Sequence, residues 1–509
     1  MVAGVCACGG PPSETASSGS GEPPQLAAAM ALPDNAVANA VSKLDTIAEE
    51  LMADSGIPGM AVAVVHSGKT IYAKGFGVRD VKTGEKVDAD TVFQLASLSK
   101  PLAATVVAHQ VGNGAVQWDT PIVDELPWFA LSDPATTRML TVADLFSHRS
   151  GLPDHAGDLL EDLGYDRRAV LERLRLLPLD QFRTSYAYTN FGVTTAAEAV
   201  SAAAGTPWED LSEEVLYRPL GMDSASSRFA DYQGRPDRAV GHVLVDGGYQ
   251  SRYTRDPDAQ SPAGGVSASV TDLTHWLAMM LADGSYNGNQ IVDPDALLPA
   301  VTPQIVSSPP SEPAERSGFY GYGFNVSTSA AGRMQFSHSG AFALGAATNI
   351  VIIPSADVAI VALTNATPSG VPETLTAEFT DLVEFGEVRQ DWRTLYADAF
   401  ASMSTPFGEL ADKQPPAEPV PARPLTSYSG SYANDYWGPA AVAERDGALT
   451  LMLGPRAKAF QLTHWDGDVF TFALSDENAP PGSLSKATFD GDRLTLEYFD
   501  SDKMGTFTR

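Results

Sequence analysis

Cysteine is almost missing from this chain: there are two in 509 residues, Cys6 and Cys8, both at the extreme N-terminus. The folded part that follows therefore has no disulfide and no thiolate chemistry. Positive charge is scarce as well. Lysine and arginine total 33 against 63 aspartates and glutamates, a formal net charge of −30. Such a surface argues against nucleic acid and anionic membranes as partners and favours solubility. No apolar run reaches the ~18 residues that an intact transmembrane helix needs. There is no H-E-x-x-H and no Cys/His cluster, so no metal site is expected, and His148 reads as a structural residue in a turn. No G-x-S-x-G elbow occurs either, which argues against an α/β-hydrolase.

The N-terminal stretch lacks the basic start and long apolar core of a signal peptide. It looks like the tail of one. Val5-Cys6-Ala7-Cys8 resembles a bacterial lipobox, and residues 9–24 are rich in Ser, Gly, Pro and Glu, as a tether is. The expectation is an exported bacterial protein, periplasmic or on the outer surface, with a possible lipid anchor at Cys8 as its one membrane attachment.

What is present is a globular composition, 44% apolar, in a chain too long for one typical domain. The chain is organised around Phe93-Gln94-Leu95-Ala96-Ser97-Leu98-Ser99-Lys100. The apolar pattern after it predicts a buried helix beginning near Ser97. Residues three apart share a helix face, so the Lys100 amine should lie by the Ser97 hydroxyl. A serine needs an adjacent base to become a nucleophile. Lysine serves once burial or nearby cations lower its pKa. The spacing alone is a weak signal, because S-x-x-K recurs at Ser483-Leu484-Ser485-Lys486.

A helix over 35–52 and a hairpin over 60–76 precede the serine stretch. Helices and polar loops follow, then strands over 318–326, 334–338, 346–353 and 358–365, and a helix over 373–385. The first and last strands flank an all-helical insertion. This predicts an α+β fold, an α/β sandwich with helices covering a mostly antiparallel sheet. The tract 413–421 is a stiff proline linker. From Leu425 onward, about eight short alternating runs separated by Asp-Gly turns predict a small β-barrel. The expected division is a leader remnant and tether (1–34), a main domain (35–386), a helical and proline-rich linker (387–424) and a barrel (425–509). The linker predicts few contacts across that junction unless the barrel docks on the cleft.

Acyl transfer needs a nucleophile, a base, a proton relay and an oxyanion site. Tyr188-Thr189-Asn190 offers a phenol and an amide; a phenol near a cation can ionise and act as base or acid. In His338-Ser339-Gly340 the glycine admits a close backbone approach. His338 can donate to a leaving group or orient a carboxylate. Its unperturbed pKa of ~6.5 would let it gain a proton on mild acidification.

Taken in this order, F-x-x-x-S-x-x-K, Y-x-N and H-x-G resemble the penicillin-recognising serine hydrolases. That family includes class C β-lactamases, D-alanyl-D-alanine carboxypeptidases, D-aminopeptidases and one group of carboxylesterases. The likeness covers roughly residues 44–385, and the last domain resembles the lipocalin-like barrel appended to many such enzymes. The resemblance implies a β-lactamase/transpeptidase-like fold and a cofactor-free acyl-enzyme. It makes Ser97 the nucleophile and Lys100 and Tyr188 the base system. Asn190 would hold substrate, Gly340 would lie along it, and the backbone N–H groups of Ser97 and Ala341 would form the oxyanion hole. The implied partners are small peptide, amide or ester substrates. His338 stands where class C β-lactamases carry lysine, and no S-D-N element is present, so peptidase or esterase fits better than a dedicated β-lactamase. A non-catalytic binding protein or sensor on the same fold is the competing class. Lys82-Thr83-Gly84, Tyr432-Ala433-Asn434 and Ser483 to Lys486 copy family letters in the wrong chain order and are assigned no chemistry.

Overall fold

The computed structural model describes residues 29–474 and 476–509. The lipobox and tether lie outside them. No helix among the described residues is long and apolar enough to cross a membrane.

Alternation along the strands explains the layering. In β1 (Gly59–His66), Met60, Val62 and Val64 join one apolar cluster while Ala61, Ala63 and Val65 join another. The same happens in Val358–Thr364, with Ile360 and Ala362 on one face and Val361 and Leu363 on the other. Successive strand residues point to opposite faces, so strands apolar on both sides belong in the middle of a covered sheet. The other strands of this sheet are β2 (Lys69–Gly77), β3 (Ile305–Ser308), β4 (Gly318–Tyr320), β5 (Asn325–Thr328), β6 (Met334–Phe342), β7 (Ala346–Ile353) and β8, the Val358–Thr364 strand. Their order is β2-β1-β8-β7-β6-β5-β4-β3, antiparallel throughout. The helices Leu44–Ser55 and Val371–Phe385 cover one face. The helical insertion, led by Ser99–Gly112, covers the other.

Two expected elements break where glycine or a bend intervenes. The helix over 35–52 is two, Ala36–Val41 and Leu44–Ser55. The strand over 318–326 is interrupted between β4 and β5. There a Cβ on Gly323 (φ 77°) would sit 2.7 Å from the Lys100 carbonyl oxygen, so this kink packs directly on the helix that carries Lys100.

The C-terminal part is an eight-stranded antiparallel meander from Gly430–Tyr432 to Thr506–Thr508. Ala433 and Thr508 exchange backbone hydrogen bonds of 2.6 and 3.0 Å, which joins the first strand to the last and closes the barrel. The segment before it carries a helix, Trp392–Ala401. The junction is not sparse. Tyr165 Oη donates to the Trp437 carbonyl (2.9 Å), Asn478 Nδ2 donates to Asp162 Oδ2 (2.8 Å), and Gly454 sits so close that a Cβ would meet Leu163 O at 2.3 Å. One apolar cluster runs from the helical insertion into the barrel. The barrel is docked on the face that carries Ser97.

Candidate active site

Ser97 sits in a tight turn. The short strand Phe93–Gln94 pairs with Ser267–Ala268, a 3-10 turn covers Ala96–Leu98, and the helix runs from Ser99 to Gly112. Ala96, just before the serine, is a buried non-glycine residue at φ 47°. That is a strained conformation which only surrounding packing sustains. Ser99 helps to hold it: its hydroxyl donates to Ala96 O (2.7 Å) and accepts from Val266 N–H (2.9 Å).

Lys100 is fully buried, and its three N–H bonds go to Ser97 Oγ (3.1 Å), Asn190 Oδ1 (2.6 Å) and Ala263 O (2.9 Å). Burial pulls its pKa down to about 7, against the opposing pull of the Asp158 charge. The neutral amine keeps two protons, which suffice for the amide and the carbonyl. Its lone pair then faces the Ser97 hydroxyl, the arrangement a general base needs. Asn190 spends both ends of its amide here, because its Nδ2 donates to Asp158 Oδ2 (2.8 Å).

Tyr188 places its ring over Lys100 Nζ, 4.6 Å from the ring centroid, and lines the cavity beside Ser97. The expectation that a nearby cation ionises this phenol does not hold. Burial raises its pKa well above the ordinary tyrosine value, and the nearby Ser97 hydroxyl only partly offsets that. His148, at φ 56° in its turn, is the buried ring against which Tyr188 packs (centroids 4.5 Å apart).

His338 and Gly340 pair with Ile350 and Thr348 of β7 and so face the Ser97 side of the sheet. Both imidazole nitrogens of His338 are engaged. Nδ1 lies 2.6 Å from the Ser339 carbonyl, which can only accept, so Nδ1 carries the proton. Nε2 then accepts from Tyr320 Oη at 2.8 Å. Burial, reinforced by the Lys100 charge, lowers the His338 pKa to about 3. The expected gain of a proton on mild acidification is therefore wrong, because this ring stays neutral across the working range.

Gly340 is needed for a contact inside the protein. A Cβ there would stand 2.3 Å from Leu95 O and from Thr348 Oγ1, and 3.0 Å from Ser97 N. Only glycine lets β6 lie against the nucleophile turn. Past Ser337, β5 no longer pairs with β6, and Ser97, Tyr188, Asn190 and Ala341 line one cavity of about 250 Å³. The barrel closes one side of it through Glu477 and Asn478.

Sequence reasoning passed over Asp158, Arg255 and Glu477, which all line this cavity. Asp158 alone left a trace, lying three residues after His155, whose Nδ1 it meets at 2.8 Å. The copied motifs are elsewhere. Ser483 Oγ accepts from Phe407 N–H and Lys486 pairs with Glu409, Tyr432 and Asn434 bond within the barrel, and residues 82–84 form a hairpin turn. Among the described residues, no three His, Cys, Asp or Glu side chains are grouped to hold a metal ion.

The chain is 28% identical over 467 residues to an unguisins hydrolase of Aspergillus violaceofuscus, covering 82% of this chain and 80% of that protein. It is 27% identical over 200 residues to esterase EstB of Burkholderia gladioli, covering 36% and 51%. It is 23% identical over 244 residues to the D-alanyl-D-alanine-carboxypeptidase/endopeptidase AmpH of Escherichia coli K12, covering 47% and 61%. An octameric penicillin-binding protein homologue from Pyrococcus abyssi shares the fold, with a TM-score of 0.59 at 20% identity over 90% of this chain and 98% of that one. Residues 414–506 match a domain of unknown function, DUF3471. Residues 44–384, more than half of the chain, match the Beta-lactamase family, so this protein belongs to that family, the penicillin-recognising serine hydrolases.

Proposed function

We propose that this protein hydrolyses amide or ester bonds through an acyl-enzyme on Ser97, with small peptides, including those with D-residues, as its leading substrates. The observation that carries the reading is the buried Lys100, whose pKa of about 7 and 3.1 Å contact with Ser97 Oγ suit a base working near neutrality. Lys100 takes the Ser97 proton as Oγ attacks the substrate carbonyl. The backbone N–H groups of Ser97 and Ala341 receive the developing oxyanion. Tyr188, held as a neutral phenol, gives its proton to the leaving nitrogen or oxygen and recovers one from the Lys100 ammonium. A water then attacks the acyl-serine, losing its proton to Lys100, which passes it to Ser97 Oγ as the C–Oγ bond breaks and the acid product leaves. Asn190 keeps the lysine aimed, and His338 and Tyr320 form the neutral wall behind Tyr188.

The likeness to a D-alanyl-D-alanine-carboxypeptidase/endopeptidase supports peptides. Esters are the second reading, favoured by the neutral His338 and by the likeness to an esterase. Export, with a lipid at Cys8 and the barrel from Leu425 as a docked module, completes the proposal. A panel of D-amino acid amides, short peptides, p-nitrophenyl esters and nitrocefin, run on the parent and on Ser97→Ala, tests it. Turnover of peptides or amides that vanishes in the alanine variant is expected. Turnover that survives the substitution overturns the reading.

A further inference from the structure

One carboxylate enters the Ser97 cavity from the barrel, and the mechanism above does not use it. Glu477 lies between the barrel strands Val469–Ala473 and Leu484–Asp490 and lines the cavity together with Ser97. Its Oε1 accepts from the backbone N–H of Ala343 (2.6 Å) and its Oε2 from that of Leu344 (3.3 Å). Those two N–H groups begin the turn directly after β6, whose Ala341 faces the cavity. Arg255 stands behind them, with side-chain exposure of 9% and its Nε 4.0 Å from Glu477 Oε2. The other end of that guanidinium is paired with Glu161, but Nε has no hydrogen-bond partner among the described residues. Two adjacent backbone donors and a buried guanidinium form the set that receives a carboxylate. Here a residue from the neighbouring module occupies that set.

We propose that the N–H groups of Ala343 and Leu344 and the Arg255 guanidinium form a carboxylate subsite of the Ser97 cleft, which the barrel fills with Glu477 so that substrates bearing a carboxylate there are turned away. The inference rests on the serine-hydrolase reading of Ser97. Ala343 is two residues beyond Ala341, so at ~3.3 Å per extended residue the subsite lies about 7 Å from the scissile carbonyl. The excluded substrates are those with a free carboxylate roughly one residue from the bond cut. Peptides cut away from their C-terminus, amides and neutral esters remain. Exclusion rests on occupancy: Glu477 already satisfies the two donors and its side chain fills the space, while burial raises its own pKa to about 8.

Two matched pairs of esters test this on the full-length protein. On the acyl side, p-nitrophenyl hexanoate is compared with the mono-p-nitrophenyl ester of adipic acid. On the leaving-group side, phenyl hexanoate is compared with the hexanoate ester of 3-hydroxybenzoate. The readout is the ratio of kcat/KM for the charged ester to that for the neutral one in the parent, Glu477→Gln and Glu477→Ala. In Glu477→Ala the ratio should rise about tenfold or more in at least one pair, the scale of freeing hydrogen-bond donors for a charged acceptor. Glu477→Gln, which keeps the volume and the barrel contact, should raise it less. Ratios that stay within about twofold of the parent in both pairs, with Ser97 still labelled by a fluorophosphonate, overturn the subsite and leave the enzyme reading intact. Absence of Ser97 labelling in the parent overturns the enzyme reading itself.

Discussion

Lys100 Nζ donates to Asn190 Oδ1 over 2.6 Å, the shortest of its three hydrogen bonds, and the same amide donates onward to Asp158. The base is thus held from behind by a neutral group, with the negative charge one residue further away. A carboxylate in direct contact would favour the ammonium strongly. The relayed contact stabilises the geometry while leaving the pKa near neutrality.

Asp158 should therefore tune the acid limb of the pH–rate profile. Its charge raises the Lys100 pKa, so removing that charge lowers it. In Asp158→Asn the neutral amine persists to lower pH, and the limb of kcat/KM should move to lower pH than in the parent. Profiles from about pH 5 to about pH 9 measure this. A limb that moves upward would contradict Lys100 as the titrating group.

His338 should remain uncharged wherever the enzyme is stable. Its Nδ1 carries the proton and its Nε2 accepts from Tyr320. Nitrogen-detected NMR should report that single tautomer, unchanged down to about pH 5, since the ring is held far below the free value of ~6.5. Tyr320→Phe removes the Nε2 donor and should alter that nitrogen's shift while the proton stays on Nδ1.

Gly340 is the residue that lets β6 approach the nucleophile. Gly340→Ala should cost about 1–3 kcal/mol of stability by overpacking and should lower kcat by moving β6 away from Ser97. Gly234 is the control. It ends a short helix with nothing within 4 Å of an added Cβ. Gly234→Ala should leave the melting temperature level or slightly raised. Equal effects at the two positions would show that the contact at Gly340 is not what matters.

The site motifs were readable because their chemistry is local. Ser97 and Lys100 sit three apart and Tyr188 and Asn190 two apart, so one turn or one loop fixes each pair. The strands were readable from apolar runs such as 60–65, although the bend at Gly321 to Phe324 was not, because it answers to packing on Lys100. His338 illustrates the limit of that reading. Its neutrality follows from residue type, but the depth of its pKa depends on burial and on the Lys100 charge, which no local pattern displays. Arg255 and Glu477 lie more than two hundred residues apart in the chain. The proline linker suggested loose modules, and only the folded contacts of Tyr165, Asn478 and Gly454 reveal the docking.

That docking makes the barrel part of the fold. A chain ended at Lys413 exposes the apolar surface that the insertion shares with the barrel. It should melt at lower temperature than the full protein or fail to stay soluble. A truncated chain with the parent's melting temperature would show that the shared cluster adds nothing to stability.

The most direct measurement is intact-protein mass spectrometry after treatment with a fluorophosphonate, with the adduct mapped by peptide digestion. The account predicts one adduct, on Ser97, forming faster as pH rises through about 7. It should be abolished in Lys100→Arg, whose guanidinium cannot give up its proton. No adduct, an adduct on Ser483, or labelling that survives Lys100→Arg would contradict it.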